Sequence, residues 1–306
     1  MSWCSERLAR APLLAALCGM PWLACQASAL QYCDHQATLS AAQKDRLLRF
    51  GAIIKNELEN SGAQLALIAR SGLDLSRFGM RYSHAGFSLK ASPNTSWSVR
   101  QLYYACDERR PRIFDQGLSG FLLGTDDPSI GYASVVFMPT PEADALERTA
   151  LDNARALQLL NPSYSANAYA WGLRYQNCNQ WVMELLASAW GHLDDTDDAR
   201  AQAQRWLAAH DYAPSRFEVG NRLLMWAGAF VPWLHNDDHP SDDIAQQVYR
   251  VSMPASVEDF VRATVPGASR IEFCHTDRHV VVHRGWEPIA EGCAPGPQDS
   301  VIPLVD

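Results

Sequence analysis

The chain has 306 residues, with 26 Lys and Arg against 34 Asp and Glu, and a formal net charge of −8 at pH 7. That acidic balance makes a poor nucleic-acid ligand, because nothing offsets phosphate repulsion. With 47% hydrophobic and 10% aromatic residues, the chain has material for one large core, or for a core carrying an extension.

The first stretch reads as an export signal. Arg7 and Arg10 precede an apolar run from Ala11 to Ala24, and Ala27-Ser28-Ala29 supplies small residues for cleavage, which assigns residues 1–29 to a secretory signal peptide. A membrane span needs ~20 uninterrupted apolar residues, whereas this run is shorter and holds Pro12 and Pro21. Leu23-Ala24-Cys25 resembles the end of a lipoprotein signal, although Trp22 stands where that pattern takes a small aliphatic residue; lipidation is the minor alternative. Either route leads to the periplasm or outside, and no transmembrane segment is expected after residue 29. Cys4, Cys18 and Cys25 leave with the signal, so Cys33, Cys106, Cys178, Cys274 and Cys293 remain. In an oxidising compartment an odd set closes two pairs and leaves one thiol free. Cys274 and Cys293 are a natural local pair flanking the last predicted strand.

In chain order, Ser40 with Gln43 forms a capping box, and Leu47, Leu48, Ile53, Ile54 and Leu58 follow at helical spacing until Ser61-Gly62. Residues 64–70, 80–90, 97–106 and 132–138 are short runs of strand formers bounded by Gly, Pro, Asn and Asp, and are read as one sheet. The turn-rich link 91–95 makes the second and third an antiparallel hairpin. Pro141 and Glu142 open a helix to about Leu160, stopped by Asn161-Pro162. Asn177 caps a helix whose apolar face is Trp181, Val182, Leu185, Leu186 and Ala189, ending at Gly191. Further on come a helix ending near His210, an apolar block from Leu223 to Leu234, a capped helix starting at Ser256, and strands 270–275 and 279–284 joined as a hairpin.

Cys178 falls on the first turn of a helix. There the unpaired backbone N–H groups and the helix dipole favour thiolate over thiol, and the same amides can hold an oxyanion. A thiol pKa below that of free cysteine is the expected consequence. His84, in Ser83-His84-Ala85-Gly86-Phe87, is the candidate base; the small residues after it leave room for another backbone or a helix.

Ser83-His84-Ala85-Gly86-Phe87 resembles the Thr-His-hydrophobic-Gly segment of permuted NlpC/p60 proteins, and Asn177-Cys178-Asn179-Gln180-Trp181-Val182 resembles their Asn-Cys helix start. His before Cys is their permuted order, shared by the lecithin-retinol acyltransferase group, and the resemblance covers roughly residues 63–191. The whole chain is similar to an uncharacterised bacterial family, domain of unknown function 2145. The resemblance implies an α+β, circularly permuted papain-like fold in which the Cys helix packs on an antiparallel sheet bearing His, with a third polar residue orienting the imidazole. The second histidine common at that third position is missing here. If His84 pairs across the hairpin near Tyr103, Gln101 is the favoured orienter, with Tyr103 and, from a loop, Asp115 as alternatives.

Structural readings stand beside these. Cys178 has apolar neighbours at helical spacing and also fits an inert core thiol. His235 and His239 lie in a loop between Pro232 and Pro240, which disfavours a metal site, and His275, His279 and His283 fit a sheet surface. The 223–234 block fits core packing better than an acyl-chain groove or a membrane contact. Phosphate-binding Gly-rich loops and the Gly-x-Ser-x-Gly elbow are absent.

The sequence thus predicts a signal peptide (1–29), a papain-like core (30–192) and a mainly helical extension with a terminal hairpin (193–306). The expected activity is thiol attack on an amide or ester of a peptide, lipid or other substrate, through a thioester, without metal or organic cofactor. A non-catalytic periplasmic binding or envelope-assembly protein is the alternative.

Overall fold

The computed structural model describes residues 39–194, 196–228 and 231–304. The expected signal peptide, the lipidation alternative at Cys25, and Cys33 lie outside the described residues. Helix α1 (Ala41–Asn60) opens on the capping box: the Ser40 side chain accepts from the Gln43 N–H, and the Gln43 side chain accepts from the Ser40 N–H. Two amides that a helix start leaves unpaired are thereby satisfied.

Strands β1 (Leu65–Arg70), β2 (His84–Leu89), β3 (Ser98–Ala105), β4 (Arg110–Gln116) and β5 (Gly131–Phe137) are interrupted by a 3-10 turn at Ser76–Phe78 and by the short helix α2 (Leu118–Leu122). Helices α3 (Thr140–Leu151), α4 (Asn153–Gln158), α5 (Cys178–Trp190) and α6 (Ala199–Ala209) follow, then β6 (Ser215–Glu218), α7 (Arg222–Gly228), α8 (Ser241–Ala245), β7 (Val248–Val251) and α9 (Pro254–Thr264). The chain returns to strands with β8 (Ser269–His275), β9 (His279–Arg284) and β10 (Ser300–Pro303).

Eight of these strands form one antiparallel sheet in the order β10-β9-β8-β5-β1-β2-β3-β4, while β6 and β7 pair separately. The sheet is covered on both faces. Leu65 and Leu67 of β1 enter the core shared with α3, α5, α6 and α9, whereas Ala66 and Ile68 enter the core shared with α1 and α2. Burial on both sides explains why residues 65–69 form a continuous apolar run with no polar alternation.

Several expectations change. The helix expected over residues 141–160 is two helices, because Asp152 leaves helical geometry and caps α4, its carboxylate accepting from the Ala154 and Arg155 N–H groups. Helix α9 starts at Pro254, and Ser256 sits at its third position with Oγ accepting from the Met253 N–H. Strand β4 was not anticipated; it has a charged start and contains Pro111, which is tolerated because β4 is an edge strand. The terminal hairpin forms and adds to the main sheet beside β5, with Gly131 opposite His275 and Phe137 opposite Ser269. The sheet therefore runs across the change of sequence pattern near residue 193.

Cys274 and Cys293 form a disulfide, Cys106 is disulfide-bonded, and Cys178 is the free cysteine among the described residues. No helix of the described residues is long and apolar enough to cross a membrane.

Candidate active site

Asn177 and the start of α5 place the thiol. The Asn177 side chain accepts from the Gln180 N–H at 2.6 Å and donates to the Ser252 carbonyl at 3.2 Å, which ties the helix start to the segment before α9. Behind it, the Trp181 ring lies 6.3 Å from that of Phe87 on β2, and its indole N–H donates to the Ala156 carbonyl. Cys178 is 6% exposed, and the backbone amides of Cys178 and Asn179 at the helix start favour its thiolate form. The expected acidic thiol is not found. Burial pushes the thiol up to about 12; the two amides and the Arg70 charge pull the other way without offsetting it.

His84 opens β2 opposite Arg70, the last residue of β1. Its Nε2 is hydrogen-bonded to Gln101 Oε1, and Gln101 Nε2 donates to Gln116 Oε1 at 2.6 Å. With Gln101 Oε1 facing the ring, the imidazole donates from Nε2, which leaves Nδ1 as the basic nitrogen. Burial, then the Arg70 charge, pushes the His84 pKa down to about 3; the ring is neutral at ordinary pH. The room left by Gly86 is taken by β3: a Cβ there would lie 2.7 Å from Val99 Cγ1 and 2.8 Å from the Arg100 carbonyl.

Strand parity sorts the alternative orienters. Extending the β2–β3 register from Phe87 opposite Arg100 puts Tyr103 opposite His84, on the Gln101 face; its ring meets Phe114 edge-on at 5.6 Å. Asp115 is on β4, not in a loop, and pairs with Arg100 on the other face, where it holds that guanidinium at 2.7 and 2.6 Å. It does not reach the imidazole side of the sheet.

His84, Arg70 and Tyr103 from one face, and Cys178, Leu102, Tyr104 and Tyr164 from the other, meet around the strand ends in a pocket of about 90 Å³. No hydrogen bond joins Sγ to the imidazole among the described residues. Arg70 is the member the sequence reading missed. It donates to the carbonyls of Gly124 and Ser71, and its guanidinium lies 5.1 Å from the Phe121 ring centre. Gly72 and Gly124 leave space for it, since a Cβ at either would come within 2.5 Å of a guanidinium nitrogen. Burial lowers its pKa to about 10, which still leaves it charged at neutral pH.

Residues 57–261 match a family described as uncharacterised proteins conserved in bacteria, DUF2145. The chain belongs to this family. No curated protein and no solved structure matches it. The DUF2145 match contains Arg70, His84, Gln101 and Cys178, and it ends within α9, before β8, β9 and β10 extend the sheet.

A second cavity of the DUF2145 chain, about 670 Å³, shares Leu73, Ser83 and Cys178 with the small pocket. Met225, Gly228 and Val231 line it, so part of the 223–234 block borders open space, where core packing was expected; Ala229 and Phe230 lie outside the described residues. His235 stacks on Tyr175 with ring centres 4.3 Å apart, and His239 Nε2 bonds the Asn167 carbonyl at 2.7 Å. No cluster of three or more potential metal ligands occurs among the described residues.

Proposed function

We propose that this chain is an exported thiol hydrolase or acyltransferase, with Cys178 as nucleophile, His84 as base and Gln101 as the residue that positions the imidazole. The observation that carries the reading is the pocket itself: a free thiol at a helix N-terminus shares a space of about 90 Å³ with an imidazole held by Gln101 and a part-buried guanidinium. A thiol, an imidazole and a side-chain amide are also the set used by papain-like proteases, and a Cys helix on an antiparallel sheet supports a permuted papain-like arrangement. The disulfide at Cys274 supports export.

Both groups rest neutral, so the thiol is ionised only as it reacts. Sγ bonds the carbonyl carbon while its proton passes to His84 Nδ1, and the Cys178 and Asn179 amides, with Arg70 nearby, stabilise the oxyanion. Collapse breaks the C–O or C–N bond, and His84 returns the proton to the leaving group. Water or another acceptor, deprotonated by His84, then cleaves the thioester, releasing the acyl product and restoring the thiol. Contact between thiol and imidazole tightens when substrate fills the pocket, as catalytic hydrogen bonds in unliganded sites do.

Steady-state hydrolysis of p-nitrophenyl esters tests this. Cys178→Ala abolishes turnover and His84→Ala lowers kcat by roughly 10²–10⁴; a Cys178→Ala protein as active as the wild type contradicts the proposal. The raised thiol pKa and the absent Sγ–imidazole bond favour a second reading, a binding protein without turnover, which predicts no hydrolysis by the wild type.

A further inference from the structure

The thiol stands between two spaces of opposite character. The small pocket holds His84, Arg70 and three tyrosines. The larger cavity is walled mainly by apolar side chains, among them Phe78, Phe217, Met225, Val231, Trp233 and Met253. Phe217, Val251 and Met253 form an apolar cluster with Leu75, Phe78 and Tyr249 that is separate from the two main cores, and Phe78 meets Phe217 edge-on at 5.3 Å. The cationic residue on its wall, Arg77, is exposed and lies against Phe78. Next to Cys178, Asn179 Oδ1 is buried without a hydrogen-bond partner among the described residues, an acceptor free to take a substrate N–H.

Resting on the thiol-hydrolase reading, we infer that the large cavity is the acyl site: the substrate is a fatty acyl ester or N-acyl amide whose hydrocarbon chain lies among Phe217, Met225, Val231 and Met253. Its carbonyl carbon is at Cys178, and its leaving alcohol or amine faces His84. The volume of about 670 Å³ falls in the range of about 300–1,000 Å³ usual for small-molecule sites. A chain of about a dozen carbons, each taken as roughly the 30 Å³ of a liquid water, occupies about half of it. A peptide substrate would bring its own amide groups into this cavity and find few partners there. In the reaction the chain stays on the thioester while the polar fragment departs; water then yields the free fatty acid and the thiol.

Two measurements on the full chain separate this inference from the catalytic one. In Cys178→Ala protein, laurate displaces a dansyl-labelled fatty acid and butyrate does not. In wild-type protein, kcat/KM for p-nitrophenyl esters, below their micelle concentrations, rises roughly fourfold per added methylene between acetate and decanoate. Val231→Trp and, independently, Gly228→Phe narrow the cavity and lower kcat/KM for decanoate far more than for acetate, which flattens that series; a Cβ on Gly228 meets nothing closer than Leu234 at 3.7 Å. Laurate binding without ester turnover supports the acyl site and defeats the catalytic reading. Turnover without laurate binding or chain-length preference overturns the acyl site and leaves the catalytic reading standing.

Discussion

At the residue scale, the chemistry turns on how burial competes with local charge. Gln101 holds His84 through a neutral amide, so the imidazole gains orientation but no counter-charge, and burial beside Arg70 takes it down to about 3. Gln101→Glu keeps the acceptor and adds a negative charge, which favours imidazolium. The base works only when neutral, so the acid limb of kcat/KM for an activated ester moves up by about one to two pH units in that variant; an unmoved limb means that Gln101 does not govern the imidazole. Cys178 was legible from the odd thiol count and the Asn177 cap, and Gln101 from hairpin register. Arg70 was not, because the sequence reading paired His84 only with β3 and never with the end of β1, where a lone charge closes an apolar run. The thiol pKa was misjudged for a related reason: helix position is written locally, whereas burial is decided by the cores packed around it.

At the element scale, the site depends on how closely β3 approaches β2. Gly86 permits that approach, and an added Cβ meets Val99 Cγ1 at 2.7 Å and a backbone carbonyl at 2.8 Å. Gly86→Ala therefore destabilises the fold by about 1–3 kcal/mol and loosens the Gln101–His84 bond; urea unfolding reads the first effect and the ester assay the second. An unchanged unfolding midpoint would mean that the strands already stand further apart. Elements with strong local signals were readable: α1 from its capping box, α5 from Asn177, and the β8–β9 hairpin from its alternation and turn. Strands β4, β6 and β7 were not, since a charged, Pro-containing edge strand and two four-residue strands take their pairing from partners distant in sequence.

At the scale of the whole molecule, the sheet gathers strands from both ends of the chain, and no local pattern states that β8 pairs with β5. Buried titratable groups tie that assembly to pH. His275 in β8 is 2% exposed against Phe50, ring centres 4.6 Å apart, and burial pushes its pKa down to about 4. Between about pH 6.5 and 4 the unfolded chain binds a proton there that the folded chain does not, so stability falls as pH falls. His275→Leu removes that contribution, and wild type loses roughly 2 kcal/mol more than the variant between pH 7 and 5. Glu258, pushed up to about 7 by burial, acts with the opposite sign and is common to both proteins. Identical pH slopes in urea unfolding contradict this account of His275. The central claim, a thioester on Cys178 formed with the help of His84, is tested most directly by acid-quenching the protein seconds after mixing with p-nitrophenyl octanoate and mapping the acyl group by peptide mass spectrometry. The predicted result is a hydroxylamine-labile octanoyl group on the peptide containing Cys178 in the wild type, strongly reduced in His84→Ala. An unmodified Cys178, or equal acylation without His84, contradicts it.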